Sequence, residues 1–245
     1  MRVIPGLAVV TAGVLTLALT GCAVGGPLQT ENQSQEYAEK ITRVELTAHS
    51  GDVRFAPAAT ETVSVARQLR WRAEKPKVTE TVNGSTLRIS VTCPKIGTCE
   101  VDYDLKVPTA ASVQVRTDSG DITLAGITGD LDVGTDSGNV TVDDAAGTVR
   151  AETDSGDVKG GGLRSADVAA RTDSGEVRLT FVAAPSAVTA TSSSGDVTVA
   201  VPAVDGGYRV RAGTDAGSRT VTVVGTAAST RAITAQTDSG DVTVR

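Results

Sequence analysis

Two sets of residues in this 245-residue sequence have the types and spacing to do chemistry. The first is three cysteines: Cys22, and the close pair in Cys93-Pro-Lys-Ile-Gly-Thr-Cys99. A thiol can carry an acyl or thioether group, close a disulfide or ligate a metal. The second is a recurring Asp-Ser-Gly-Asp, whose carboxylates could bind a cation or serve as acid and base. The only histidine, His49, stands at the first Asp position of an isolated early copy, AHSGDVRF at 48–55, and the sequence names no partner for it.

The Asp phrase is an internal repeat. It reads TDSGDITL at 117–124, TDSGNVTV at 135–142, TDSGDVKG at 153–160, TDSGEVRL at 172–179, SSSGDVTV at 192–199, TDAGSRTV at 214–221 and TDSGDVTV at 237–244. From Gly120 onward the corner glycines are spaced by 18, 18, 19, 20, 22 and 23 residues. Stacking such units places Asp118, Asp136, Asp154, Asp173, Asp215 and Asp238 in one row. Asp121, Asp157, Glu176, Asp196 and Asp241 fall in a second. Two charges about 5 Å apart in water repel by only about 0.8 kcal/mol. An Asp that bonds a turn N–H recovers about as much. Calcium wants six to eight oxygens, and the glycine-rich nonapeptide of calcium-binding rolls is absent. Asn139 and Ser218 in the second row, and Ser193 in the first, show that charge is dispensable at single rungs. The acids therefore read as turn formers, with no metal or other cofactor expected. A catalytic site breaks a repeat at one place, whereas these acids follow it, so no catalytic residue is expected.

Around each corner the apolar residues recur with period two, as in Leu131, Val133, Thr135, then Val140 and Val142. That is the strand signature. Side chains shrink from Val to Thr or Ser toward the glycine, as a bend with close inner faces requires. Apolar residues make up 40% and aromatics 2%, so the core must be built from Val, Leu, Ile, Ala and Thr. A corner phrase in fixed register, with coils of 18–23 residues, predicts an all-β fold, a short single-stranded β-solenoid with one sharp and two looser corners per coil. A sandwich of hairpins is the alternative. Residues 56–107 interrupt the repeat with four strand-like runs and an Asn83-Gly84 hairpin turn, and predict an antiparallel cap near the N-terminal end. Trp71 falls in that cap, where packing accounts for it. Arg219 takes a position filled elsewhere by Val, which predicts a two-residue slip or a solvent-facing kink. The closing strand DVTVR predicts an uncapped sheet edge, open to a second molecule or a partner strand, with Arg245 as a charged gatekeeper.

The N-terminus reads MRVIPGLAVVTAGVLTLALTGC. Arg2 gives a positive start, and Val3 to Thr20 carry no charge. The pattern fits a signal peptide over 1–21 better than a membrane-spanning helix. Leu19-Thr20-Gly21-Cys22 resembles the lipobox of bacterial lipoproteins. The resemblance implies cleavage before Cys22, a thioether-linked diacylglycerol (and a palmitate-type acyl chain) on Cys22, and an exported protein held on the outer face of the cell membrane. Residues 22–42, polar and without apolar periodicity, read as a lipidated flexible tether, and 43–245 as the folded domain, with repeats over 108–245. Outside the cytoplasm Cys93 and Cys99 are expected to form a disulfide.

The SGD-V-x-V repeats, the run ending LKVP at 105–108 and the N-terminal signal together resemble the bacterial putative-adhesin family of β-strand-repeat proteins, a domain of unknown function. The resemblance spans about 41–245, implies the repeat fold, and transfers no catalytic residues. Net charge is −6, which argues against nucleic acid as a partner. The expected partners are the membrane, through the lipid, and a protein or glycan surface. The leading expectation is a non-enzymatic envelope lipoprotein presenting a rigid surface for binding or adhesion. An envelope accessory or sensor protein, acting through a membrane-protein partner, is the second. A glycan-active β-helix enzyme is the third.

Overall fold

The computed structural model describes residues 26–245, and all regular structure there is β: 21 strands in two sheets. The expected signal peptide over 1–21 and Cys22 lie outside the described residues.

Each repeat contributes one strand to each sheet, joined at the glycine corner. The first strand of each pair is β8 (Ser112–Ser119), β10 (Leu131–Ser137), β12 (Val149–Ser155), β14 (Asp167–Ser174), β16 (Ala187–Ser194), β18 (Arg209–Ala216) or β20 (Ala232–Ser239). The second is β9 (Ile122–Ala125), β11 (Val140–Asp143), β13 (Val158–Leu163), β15 (Val177–Phe181), β17 (Val197–Ala200), β19 (Arg219–Val221) or β21 (Val242–Val244). The early copy supplies β2 (Arg43–Ser50) and β3 (Val53–Pro57) in the same way. Pairing between coils is parallel and in register, so Thr117, Thr135, Thr153 and Thr172 are successive rungs. This is the solenoid and not the sandwich of hairpins. The coil has two sides: one glycine corner and one wider connection, instead of the two looser corners expected. Period-two residues from both sheets meet between them, and Val113, Val133, Val140, Val158, Val177 and Val197 are all buried there. No single coil can bury this face, so stacking supplies the stability.

The coils do not stack in chain order. One sheet ends β17-β21-β19 and the other β16-β20-β18. The last copy is threaded between the fifth and sixth, and DVTVR is an interior rung, not the expected free edge. The end of the stack is instead β18 and β19. That explains Arg219. It neither slips nor kinks, but pairs in register with Val242. It takes the inward position of a terminal coil, where no further coil covers it and it is exposed. The two longest spacings, 22 and 23 residues, are the steps out past a rung and back.

The 56–107 insertion is only partly the expected antiparallel cap. β4 (Val63–Trp71) and β7 (Cys99–Val107) pair antiparallel, as do β5 (Lys77–Asn83) and β6 (Thr86–Thr92). Yet β6 joins β2, and β7 joins β3, in parallel. The insertion therefore extends both sheets. The expected flexible tether over 22–42 is corrected as well: Gln29–Tyr37 is an edge strand, β1, paired antiparallel to β4 over nine residues. Its sequence, QTENQSQEY, lacks apolar alternation because its inward side chains meet polar partners, Arg67 and Glu80.

Candidate functional site

The glycine corners form a continuous edge along the stack. From Gly120 onward each corner glycine lies against that of the neighbouring coil. A Cβ on Gly156 would sit 2.0 Å from the carbonyl oxygen of Gly138, and the φ there is +148°. The corner therefore excludes every side chain, both by contact and by backbone conformation.

Just inside the edge runs a row of hydroxyls. Thr153 Oγ1 donates to Gly138 O at 2.9 Å, Thr172 Oγ1 to Gly156 O at 2.8 Å and Ser192 Oγ to Gly175 O at 2.9 Å. Thr237 donates to Gly195 O and Thr214 to Gly240 O, each at 2.8 Å, following the threaded order. These residues are buried, except Thr214 on the terminal coil, which is half-buried, and their acceptors lie one coil away, so the shrinkage from Val to Thr serves a bond as well as a tight fit.

The second acid row does a related task. Asp121 Oδ1 accepts the backbone N–H of Asn139 at 2.8 Å, and Asn139 Oδ1 that of Asp157 at 2.9 Å. Asp157 Oδ1 then accepts the N–H of Glu176 at 3.0 Å. These bonds run between coils and not within a turn. An amide oxygen serves as well as a carboxylate, which explains Asn139. The Glu176 N–H, and then the Lys159 ammonium, hold the Asp157 carboxyl below the usual carboxylate range.

The first acid row faces solvent. Asp118, Asp136, Asp154, Asp215 and Asp238 are exposed and Asp173 half-buried. His49 belongs to this row, and the structure supplies the partner that the sequence did not name: Nδ1 lies 2.6 Å from Asp118 Oδ2. Beside the row, Gly134 leaves a groove of about 280 Å³ bounded by Arg116, Asp118, Asp136 and Glu152. Residues 108–199 carry 14 acidic and 6 basic side chains, whereas 201–245 carry 4 and 5. The acidity of the protein is thus a property of the middle of the stack.

At the N-terminal end the space between the sheets turns polar. Arg67 on β4 bonds Glu80 on β5, and its Nε donates to Gln33 Oε1 on β1 at 2.7 Å. Tyr37 Oη, also on β1, donates to Glu80 Oε2 at 2.5 Å. Burial and the neighbouring Glu80 push the Tyr37 hydroxyl pKa up. Sequence reasoning missed this cluster. Its one signal was Arg67 at an inward position of TVSVARQLRW. Cys93 and Cys99 form a disulfide with Cα atoms 5.7 Å apart, closing a loop beside β4. Cys22 lies outside the described residues.

The model of the Toastrack family, DUF4097, matches residues 39–245. The chain belongs to that family. The Toastrack fold thus covers the whole stack except β1. Among solved structures it is similar to a putative adhesin from Bacteroides fragilis, at 15% identity and a TM-score of 0.51. That match covers 87% of this chain and 96% of that one. It is also similar to a putative cell adhesion protein from Clostridium sporogenes, at 12% identity and a TM-score of 0.43, covering 88% and 99%. No curated protein matches the chain.

Proposed function

We propose that the protein is a non-enzymatic lipoprotein of the cell envelope, anchored through Cys22, that presents the rigid face of its Toastrack stack for binding. One observation carries the reading: the second acid row and the hydroxyl row at the corners are engaged in joining coil to coil, and the remaining acids are repeated along a solvent-facing row instead of gathered at one site. The second-row acids accept inter-coil N–H groups. The hydroxyl row donates to glycine carbonyls. What faces solvent is a regular acidic row on a backbone too tightly stacked to deform. Such a surface is pre-organised, so a partner that fits it loses little in ordering it. The description of the Bacteroides fragilis protein as a putative adhesin points the same way. The Leu19-Thr20-Gly21-Cys22 ending supports the anchor.

Two experiments test the reading. Palmitate labelling and membrane fractionation of the full-length protein are expected to show an acylated, membrane-bound chain. Cys22→Ser should be unlabelled and released. A Cys22→Ser chain that stays firmly bound would replace the lipid anchor by a spanning segment. A polysaccharide panel assayed for both binding and turnover is expected to show no cleavage, and any cleavage would restore the enzyme reading.

A further inference from the structure

We infer that the corner of the stack holding the disulfide loop is a membrane-docking surface, and that it lays this end of the solenoid on the phospholipid surface that holds the Cys22 lipid. The inference rests on the lipoprotein reading above.

Two of the four exposed large apolar side chains among the described residues lie on the two segments that flank Arg72 at this corner. They are Ile96, 69% exposed, and Leu28, 52% exposed. Ile96 sits at the tip of the loop closed by Cys93 and Cys99. The loop packs on the end of β4, where the Arg72 N–H donates to Thr98 O at 3.1 Å. The Arg72 side chain reaches the other way and donates to Gly26 O at 2.8 Å. The loop and the entering chain are thus fixed to the same residue. Around them lie cations. Lys95 is in the loop and Lys77 begins β5, both exposed, whereas Lys75, 5.5 Å from the centre of the Trp71 ring, is paired with Glu31 at 2.6 Å and stands beside the exposed Glu74.

Covalent reach decides the occupant. Only four peptide steps separate Cys22 from Gly26, so the lipidated residue lies within about 14 Å of it. No long tether can lift this corner away from the bilayer. An apolar tip among lysines and an arginine is the composition that settles into an anionic interface. The acyl chains on Cys22 hold the protein on the bilayer, and this corner adds the contact that orients the stack upon it. The disulfide holds Ile96 in place, so little ordering is lost on contact.

Trp71 is the only tryptophan and marks the corner. The lipidated full-length protein would be reconstituted into vesicles of phosphatidylglycerol and phosphatidylcholine brominated near the headgroup. The expected result is co-sedimentation with quenching of Trp71 emission. Ile96→Asp and Lys95→Glu should still co-sediment, with quenching reduced at least twofold. Pure phosphatidylcholine vesicles should quench less than the anionic ones. Co-sedimentation without quenching, or quenching unchanged in both variants, would overturn the docking surface and leave the anchor standing. A protein that fails to co-sediment at all would overturn the anchor, and the docking surface with it.

Discussion

Asp196 Oδ1 accepts the backbone N–H of Asp241 at 2.8 Å, across 45 residues of chain. Asp241 Oδ1 in turn accepts the N–H of Ser218 at 2.8 Å. The last repeat therefore stands between its two predecessors, and two substitutions one rung apart should behave oppositely. Val242 is fully buried in that interior rung. Val242→Asp is expected to cost about 3 kcal/mol or more, because it buries an unpaired charge. Its partner in register, Arg219, lies on the open terminal coil. Arg219→Val should change stability by no more than about 0.5 kcal/mol. It should also promote self-association, since it removes a charge that guards a sheet edge. Urea denaturation and sedimentation velocity read the two effects. Equal destabilisation by both would refute the threaded order.

The corner glycines give a second test. Gly156→Ala sets a Cβ against the Gly138 carbonyl at 2.0 Å, with backbone on both sides unable to yield. A loss of about 3 kcal/mol or more is expected. Gly213, on the terminal β18, has open space where its Cβ would go. Gly213→Ala should be neutral or slightly stabilising, because it narrows the unfolded ensemble. Thermal unfolding of the two variants side by side checks the contrast.

The parts of the fold that repeat were legible in the sequence, and the parts that do not repeat were not. Thr135 and Thr153 reveal their register because the same phrase surrounds each, and parallel stacking follows from that sameness. The threaded order left only a faint mark, the lengthened spacings before Gly217 and Gly240, because DVTVR reads alike whether it closes the stack or fills it. Arg219 was the clearer sign, since an arginine in a Val position belongs where nothing stacks above it. β1 was hidden for a different reason. A strand whose inward residues are Gln33 and Tyr37 shows no apolar period, and its place depends on Arg67 and Glu80, more than thirty residues away. The second-row acids were expected to bond N–H groups of their own turns, and they bond those of the neighbouring coil instead. That the N–H belongs to the next coil could be seen only once the coils were stacked.

Asp157 makes that row sensitive to acid. Its folded pKa is depressed, first by the Glu176 N–H and then by Lys159. A depressed carboxylate contributes stability that is present above the ordinary value of about 3.9 and is lost as pH falls through the folded value. The window therefore lies below about pH 4. Asn139 already makes the same bond one coil earlier without a charge. Asp157→Asn should thus stay within about 0.5 kcal/mol of the parent at pH 7 and lose less between pH 7 and pH 3. Asp157→Ala should lose about 1 kcal/mol at pH 7, leaving the Glu176 N–H without its acceptor. Urea midpoints at the two pH values decide it, and identical acid losses in parent and Asn variant would count against the assignment.

Arg67 and Glu80 tie the two sheets together at the end where the apolar core gives out. Their side chains are only 14% and 13% exposed, so each has little water to replace the other as a partner. Arg67→Met leaves Glu80 enclosed beneath Tyr37 with one hydroxyl donor remaining. Removing one member of a buried pair is costly, and a loss of about 3 kcal/mol is expected. Replacing both, in Arg67→Met with Glu80→Leu, removes the stranded charge and should restore most of that loss. Val78 and Val82 flank Glu80 on the same inward face of β5 and would pack against the new side chains. β1 responds differently, because Gln33 and Tyr37 lose their partners in the double variant too. Hydrogen exchange should therefore show faster exchange over Gln29–Tyr37 in both variants, while global stability recovers only in the double one. If β1 protection also returned in the double variant, the main-chain ladder to β4 alone would suffice to hold the strand.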